Sequence, residues 1–311
     1  MITVSLRMLP FAVLLVAALW GSAFPAIKAI YEEWAKSGIE PTVSRVWLLA
    51  GLRFILAGTV ILILAPQPFK ELRDTSKLKL MGFALGQTYF QYLLFYPALT
   101  ISSAVLGGLL TGSGSIWWML LAPLLLKTPW PSPKQWVFVA MAVLGVVLAI
   151  YKPGVGSGNP VLGGLLFCCC TLSGACALII LNRMMTTMKA ITATGFGLLI
   201  GGVLLTLSGV GAWSDIHLLF SAKVIWLSCY LAMVSAVGFG LWNYLTGIFS
   251  VTLLAGYRFL IPVCAVIESS LLVRGESPGV GIWLGGTLVV VAIIFLQRLS
   301  QDRNKRAMGS A

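Results

Sequence analysis

Apolar residues run in blocks of about 20, the length a helix needs to cross the hydrocarbon core of a bilayer. Polar residues collect in short stretches between the blocks. The pattern predicts spanning helices over Met8–Ile30, Ser44–Ala65, Leu78–Leu99, Ile101–Leu126 and Gln135–Tyr151. A second set follows over Pro160–Asn182, Ile191–Gly211, Val224–Leu245, Ile248–Val273 and Gly279–Gln297. The ends of the two sets match at one fixed offset. Ile101, Ser103 and Leu106 fall on Ile248, Ser250 and Leu253, and Lys127, Pro131 and Trp136 fall on Arg274, Pro278 and Trp283. Because five is odd, the second set must enter the bilayer in the opposite sense to the first. The expected fold is an all-α integral membrane protein with ten transmembrane helices in two inverted five-helix repeats, an arrangement that in alternating-access transporters places a site between the halves. Residues 1–151 form the first repeat, 152–159 a linker, 160–298 the second repeat and 299–311 a basic tail.

Composition supports a single membrane domain. The chain is 59% hydrophobic and 10% charged, with a mean hydropathy of +0.98, outside the range of soluble domains. The net charge of +12 raises the question of nucleic acid or acidic lipid, and the location of the charges answers it. With the first residues in the cytoplasm, that side collects Arg7, Lys70, Arg73, Lys77, Lys79, Lys127, Lys134, Arg183, Lys189, Arg298, Arg303, Lys305 and Arg306. The other side has Lys36, Arg45, Lys152, Lys223 and Arg274. Thirteen against five follows the positive-inside rule, puts both termini in the cytoplasm, and accounts for the basic excess without nucleic acid. Arg7 and the apolar run after it resemble a signal peptide, but the run continues to Ile30 and is read as the first span.

Cys168, Cys169, Cys170, Cys176, Cys229 and Cys264 all fall within apolar spans. Three consecutive helical residues point about 100° apart, so the Cys168–Cys170 run cannot converge on a metal, and neither metal nor cofactor is expected. Lys152 to Pro160 is the Gly-rich stretch best suited to a hinge or linker between the halves; it lacks the Gly-Lys-Ser/Thr ending of a phosphate-binding loop.

Candidate chemistry lies in polar groups at membrane depth, where each costs several kcal/mol unless paired or facing water. Lys28 is close enough to a span end to snorkel. Arg53 and Arg258 lie near the middle of their spans, and two readings stay open for each: they bind carbonyls freed at helix breaks, or they face a cavity and pair with an anionic group of a solute. Glu268 stands about 15 Å from Arg258 along one helix, too far for a direct bridge, and is a candidate for coupling or gating, as is Arg53, or a packing carboxylate. Gln87 and Gln91 share a helix face, with Tyr89, Tyr92 and Tyr96 beside it. Trp20, Trp117, Trp118 and Tyr257 sit away from the interfacial aromatic belts, and Asn182, Trp242 and Asn243 lie towards the cytoplasmic mouth. The expected solute-binding set is Arg258, Gln87, Gln91, Tyr92, Trp20, Trp118, Tyr257 and Asn243. Gly107, Gly108, Gly112 and Gly114 make the fourth span a small-residue helix suited to close packing.

Several stretches resemble a known family. Leu19 to Pro25 (Leu-Trp-Gly-Ser-Ala-Phe-Pro), Leu52-Arg53-Phe54, Tyr257 to Pro262, Gly275-Glu276 and Gly285-Gly286 are similar to motifs of EamA-type members of the drug/metabolite transporter superfamily. The resemblance implies ten helices, a central cavity and transport of metabolites, often outward, across a bacterial cytoplasmic membrane. The chain departs from that pattern at Ser115 and Pro129, where a proline and a glutamate are expected, and at Arg258, where an uncharged residue is usual. The expected function is secondary transport, not catalysis: a small organic solute, an amino acid or related carboxylate-bearing molecule, moved by alternating access in the bacterial inner membrane. The alternatives are export of cationic drugs, and a channel or accessory protein without carrier activity. The partners are the solute and the lipid bilayer; proton coupling and a monomeric or dimeric state are left open.

Overall fold

The computed structural model describes residues 5, 7–126, 130, 132–156, 158–249, 254, 257–258 and 260–309. Lys127, Pro129, Pro131, Ser250 and Leu253, which enter the repeat register or the comparison with the family pattern, lie outside the described residues, as does the side chain of Ser115. The chain is nearly all helix: α1 (Leu9–Lys36), α2 (Val43–Leu64), α3 (Pro68–Asp74), α4 (Lys77–Ala84), a π-helical turn (Leu85–Phe90), α5 (Gln91–Ile101), α6 (Ala104–Leu110), α7 (Ser113–Leu126), α8 (Pro133–Tyr151), α9 (Pro160–Met184), α10 (Ala190–Ser208), α11 (Ile216–Leu219), α12 (Ala222–Ile248), α13 (Leu260–Leu272) and α14 (Val280–Gly309). Two short strands, β1 (Gly154–Val155) and β2 (Ser277–Pro278), pair antiparallel. Among the described residues α1, α2, α8, α9, α10 and α12 are long and apolar enough to cross a membrane, and Ile116–Leu125, Leu260–Leu272 and Val280–Leu296 are shorter apolar helices.

Helix starts follow local chemistry. The hydroxyl of Ser103 accepts from Leu106 N at 3.1 Å, and the Asn159 side chain from Leu162 N at 3.1 Å ahead of Pro160. Ser132 and Gln135 make a reciprocal capping box ahead of α8. Each satisfies N–H groups that the helix itself leaves unpaired.

Helix α1 packs on α12 and α13, while α9 packs on α4–α5 and on α6–α7. Helix α2 packs on α12 and α5, while α10 packs on α4 with the π turn and on α12. The pairs α2–α10, α6–α13 and α8–α14 complete the bundle. Exchanging the first five predicted spans for the second five leaves this scheme of neighbours unchanged. Lipid supplies little hydrophobic drive between helices, so close backbone approach has to supply the contact. At α2–α10, a Cβ on Gly51 would stand 2.5 Å from Thr206 N. Gly108 meets α13 in the same way, its Cβ position being 2.8 Å from Ala265 Cβ.

Four spans differ from the apolar blocks. Helix α1 continues past Ile30 to Lys36. The third span is not uniform: α4 and α5 are joined through the π turn. The fourth is broken, with Thr111–Gly112 in a turn between α6 and α7, and Tyr257–Arg258 occupy a turn just ahead of α13. Thr111 and Arg258 are partners in the repeat register, so both halves carry a break at the same place. Hydropathy cannot detect it, because the residues on both sides are apolar.

The 152–159 segment is not a free hinge. Besides the β1–β2 pairing, Gly158 bridges to Ser102 and Asn159 N donates to Ile101 O at 2.7 Å. Gly154, Gly156 and Gly158 take φ of 107°, 77° and 57°, which L side chains rarely adopt.

Candidate membrane-embedded cavity

Between the halves lies a cavity in which water centres can occupy about 120 Å³, lined by α1, α2, the π turn, α5, α6, α9, α12, α13 and Arg258 of the preceding turn. That is enough for several waters or a small solute. Its lining includes Trp20, Arg53, Gln87, Gln91, Tyr92, Asn243 and Arg258 of the residues singled out from the sequence. Trp242, also singled out there, is in the lining, which adds Phe24, Phe95, Phe167, Phe239, Thr111, Thr171 and Cys170. No Asp or Glu is among the described lining residues.

The two arginines that face it are held very differently. Arg53 is 4% exposed. Its Nε donates to Leu231 O at 3.1 Å and to Ser235 Oγ at 3.0 Å, Nη1 to Tyr96 OH at 2.8 Å, and Nη2 to Ser235 Oγ at 2.8 Å. Its guanidinium also lies over the Phe54 ring, 4.8 Å from the centroid. Arg258 makes no hydrogen bond or ion pair among the described residues; its one contact of this kind is with the Trp242 ring, 5.6 Å from the centroid. Five carbonyls at the neighbouring break accept hydrogen bonds from its own residues. Thr111 N donates to Gly107 O and Gly108 O, Gly112 N to Leu109 O, Ser113 Oγ to Leu110 O and Gly114 N to Thr111 O. The Nη2 of Arg258 lies against the start of α7, 2.9 Å from where a Cβ on Gly114 would be.

A second polar group sits on the π turn, a local widening often found at functional positions. Gln87 Oε1 accepts from Asn243 Nδ2 at 2.8 Å, and the same Nδ2 donates to Thr194 Oγ1 at 2.8 Å. This leaves Gln87 Nε2, a donor, and Asn243 Oδ1, an acceptor, buried without partners among the described residues. Trp20 Nε1 is likewise buried and unpaired, its ring packed on Phe239 and Trp242 at 5.2 and 5.7 Å between centroids.

Other expected site residues lie elsewhere. Tyr257 packs with Leu9, Val13 and Trp242 in an apolar cluster below the cavity. Trp118 is half-buried outside the lining, while its neighbour Trp117 donates to Cys168 O at 3.0 Å. Consecutive helical residues point in different directions, so mid-membrane depth alone does not bring a ring to the cavity. Glu268 is half-buried against α1, its Oε1 3.1 Å from the Cβ position of Gly21, and is not in the lining. Lys28 does not snorkel: its Nζ is 3.3 Å from Glu276 Oε1 and donates to Ser102 O at 2.8 Å. No spacing rule links residues so far apart in the chain, so the sequence carried no signal for this pair.

The chain was compared with known proteins. The EamA-like transporter family model matches residues 8–151 and 161–298. An uncharacterized transporter, YvbV, of Bacillus subtilis (strain 168) is 26% identical over 302 residues, covering 94% of this chain and 92% of the relative. A probable amino-acid metabolite efflux pump of Escherichia coli (strain K12) is 24% identical over 290 residues, covering 90% and 91%. A protein of the same description from Salmonella typhimurium is 24% identical over 296 residues, covering 92% and 93%. A solved crystal structure aligns with a TM-score of 0.60 at 16% identity, covering 94% of this chain and 97% of the other, a likeness of fold alone.

Proposed function

Because this chain belongs to the EamA-like transporter family, we propose that it is a secondary transporter exporting an amino acid or related carboxylate-bearing metabolite across the bacterial inner membrane by alternating access. Ten spans in two inverted repeats, with both termini cytoplasmic, form the frame of that mechanism. The neighbour scheme that survives exchange of the halves supports it, and so do the matching breaks at Thr111 and Arg258.

One observation carries the assignment of solute chemistry: the Arg258 guanidinium faces the cavity without a counter-ion among the described residues. A bare guanidinium in a bilayer interior costs several kcal/mol, and a solute carboxylate offsets that cost through paired N–H donors. The N-termini of α7 and α13 start at the same two breaks, and their partial positive charge favours the same ligand. Gln87 Nε2 is a further donor to the carboxylate, and Asn243 Oδ1 is an acceptor for an amine. The rings of Trp20, Tyr92, Phe95 and Phe239 form apolar walls. A cationic drug would meet two arginines and no carboxylate among the described lining residues. The relatives described as amino-acid metabolite efflux pumps support the same class.

Counterflow in proteoliposomes tests the proposal. Amino acids or other carboxylates are expected to exchange in a saturable way, and Arg258→Ala to reduce exchange to the background of empty liposomes while the protein stays monodisperse. Exchange of cationic compounds alone, or full exchange by Arg258→Ala, would overturn it.

A further inference from the structure

Beyond the cavity, on the face that carries the 152–159 segment, one carboxylate ties together elements of both halves. Glu276 Oε1 is 3.3 Å from Lys28 Nζ on α1, and Glu276 Oε2 accepts from Ala104 N at 2.7 Å and Val105 N at 3.3 Å at the start of α6. Lys28 also donates to Ser102 O at 2.8 Å. Glu276 immediately precedes β2, which is paired with β1. The side chains are 18% exposed for Lys28 and 6% for Glu276. A pair so shielded escapes much of the screening that weakens surface ion pairs. The extra hydrogen bonds on both partners are what a buried pair needs to offset its desolvation.

The position of this cluster gives it a role. On α1, Phe24 and Ile27 line the cavity and Lys28 is the next residue. On α6, Gly107 lines it, three residues beyond Ala104, or about 4.5 Å along the helix. The ion pair thus holds two cavity walls together directly above the space they enclose. The opposite end closes with different chemistry: Leu9, Val13 and Val16 of α1 meet Trp242 and Leu245 of α12 and Leu254 in an apolar cluster. An apolar contact yields gradually as helices slide, whereas an ion pair with fixed hydrogen bonds is either made or broken.

We propose that Lys28 and Glu276 form the gate that closes the cavity towards the linker face, outermost in the topology above, and that the pair breaks when α1 parts from α6 to release solute. The inference rests on alternating access, and its test needs no solute.

Cys170 lines the cavity, so its thiol reports access. A protein with Cys170 as sole cysteine, reconstituted in vesicles sorted by orientation, would be treated with a membrane-impermeant maleimide. With Lys28 and Glu276 intact, labelling from the linker face is expected to be slow. Lys28→Met and Glu276→Gln should each raise that rate about tenfold or more, a shift of about 1.4 kcal/mol in the closed–open balance. Lys28→Arg, which keeps the charge, should stay slow. In Glu276→Gln the amide oxygen still accepts from the α6 N–H groups, so this variant keeps the helix start if Lys28→Met fails to fold. Rates unchanged in the folded variants, or raised only from the opposite face, would overturn the gate. The counterflow result would stand or fall separately.

Discussion

Arg53 and Arg258 are the same residue type at similar depth, both facing one cavity, and they differ in what surrounds the guanidinium. Arg53 has four hydrogen bonds to Leu231, Ser235 and Tyr96 and two rings beside it. Arg258 has one ring. A buried charge whose three nitrogens all donate hydrogen bonds fixes helices to one another. One with none engaged adds nothing of that kind and is available to a ligand. Depth in the membrane marks both as unusual, and only the partners tell the two apart.

The largest effect that tests this contrast is Arg53→Ala. It leaves the Ser235 and Tyr96 hydroxyls without their guanidinium partner in the bundle, at about 1–3 kcal/mol each, so the monodisperse peak on size exclusion should collapse. Arg53→Lys should rescue little, because one ammonium cannot reproduce the planar fork. Normal yield and an unchanged Tm for Arg53→Ala would move Arg53 to the solute-binding side. Arg258→Met should shift stability the other way, raising Tm by an amount equivalent to about 1 kcal/mol. Replacing a poorly paired buried charge with an apolar side chain is often stabilising. A fall in Tm would mean that Arg258 also braces the bundle.

Gly114→Ala is a smaller perturbation. The new Cβ would stand 2.9 Å from Arg258 Nη2, so counterflow should drop several-fold in a folded protein. In an Arg258→Ala background the substitution should have no further effect, and a double-mutant cycle measures the coupling. Additive losses would show that Gly114 acts on something else.

Smallest of all should be the effect of a third arginine, at the surface. Arg45 donates to Asp215 Oδ2 through Nη2 at 2.8 Å and Nε at 3.1 Å. These bonds hold the Asp215 carboxyl below its ordinary range against an opposing desolvation, with help from Ser214. A carboxyl lowered on folding stabilises the protein above its unfolded value, and that contribution is lost as pH falls through the folded one. Tm of the unmodified protein should therefore dip slightly more on acidification than that of Asp215→Asn, with transport unchanged. Equal pH profiles would leave the pair without a role in stability.

Much of the site was legible because a polar residue in an apolar run is an energetic exception. Arg53, Gln87, Gln91 and Asn243 stand out in the sequence on that ground alone and all reach the cavity lining. Aromatic residues carry no such mark. Trp118 and Tyr257 belong to the same depth as Trp20, yet lie outside the lining, while Phe24, Phe95, Phe167 and Phe239 enter it unannounced. The Lys28–Glu276 pair was hidden for a further reason: β1–β2 and the start of α6 bring its partners together, and nothing local to either residue encodes that meeting.

The sequence by itself determined the runs that seek lipid, their two-fold pattern, the placement of positive charge and the depth of the polar exceptions. Each follows from transfer free energy residue by residue, which needs no knowledge of neighbours. Tertiary structure alone decided which exceptions are paired. It decided where the two matching helices break, and which residues meet at each end of the cavity. Those outcomes depend on distances between residues remote in the chain, and at the two arginines such distances separate a hydrogen-bonded guanidinium from one with no hydrogen bond among the described residues.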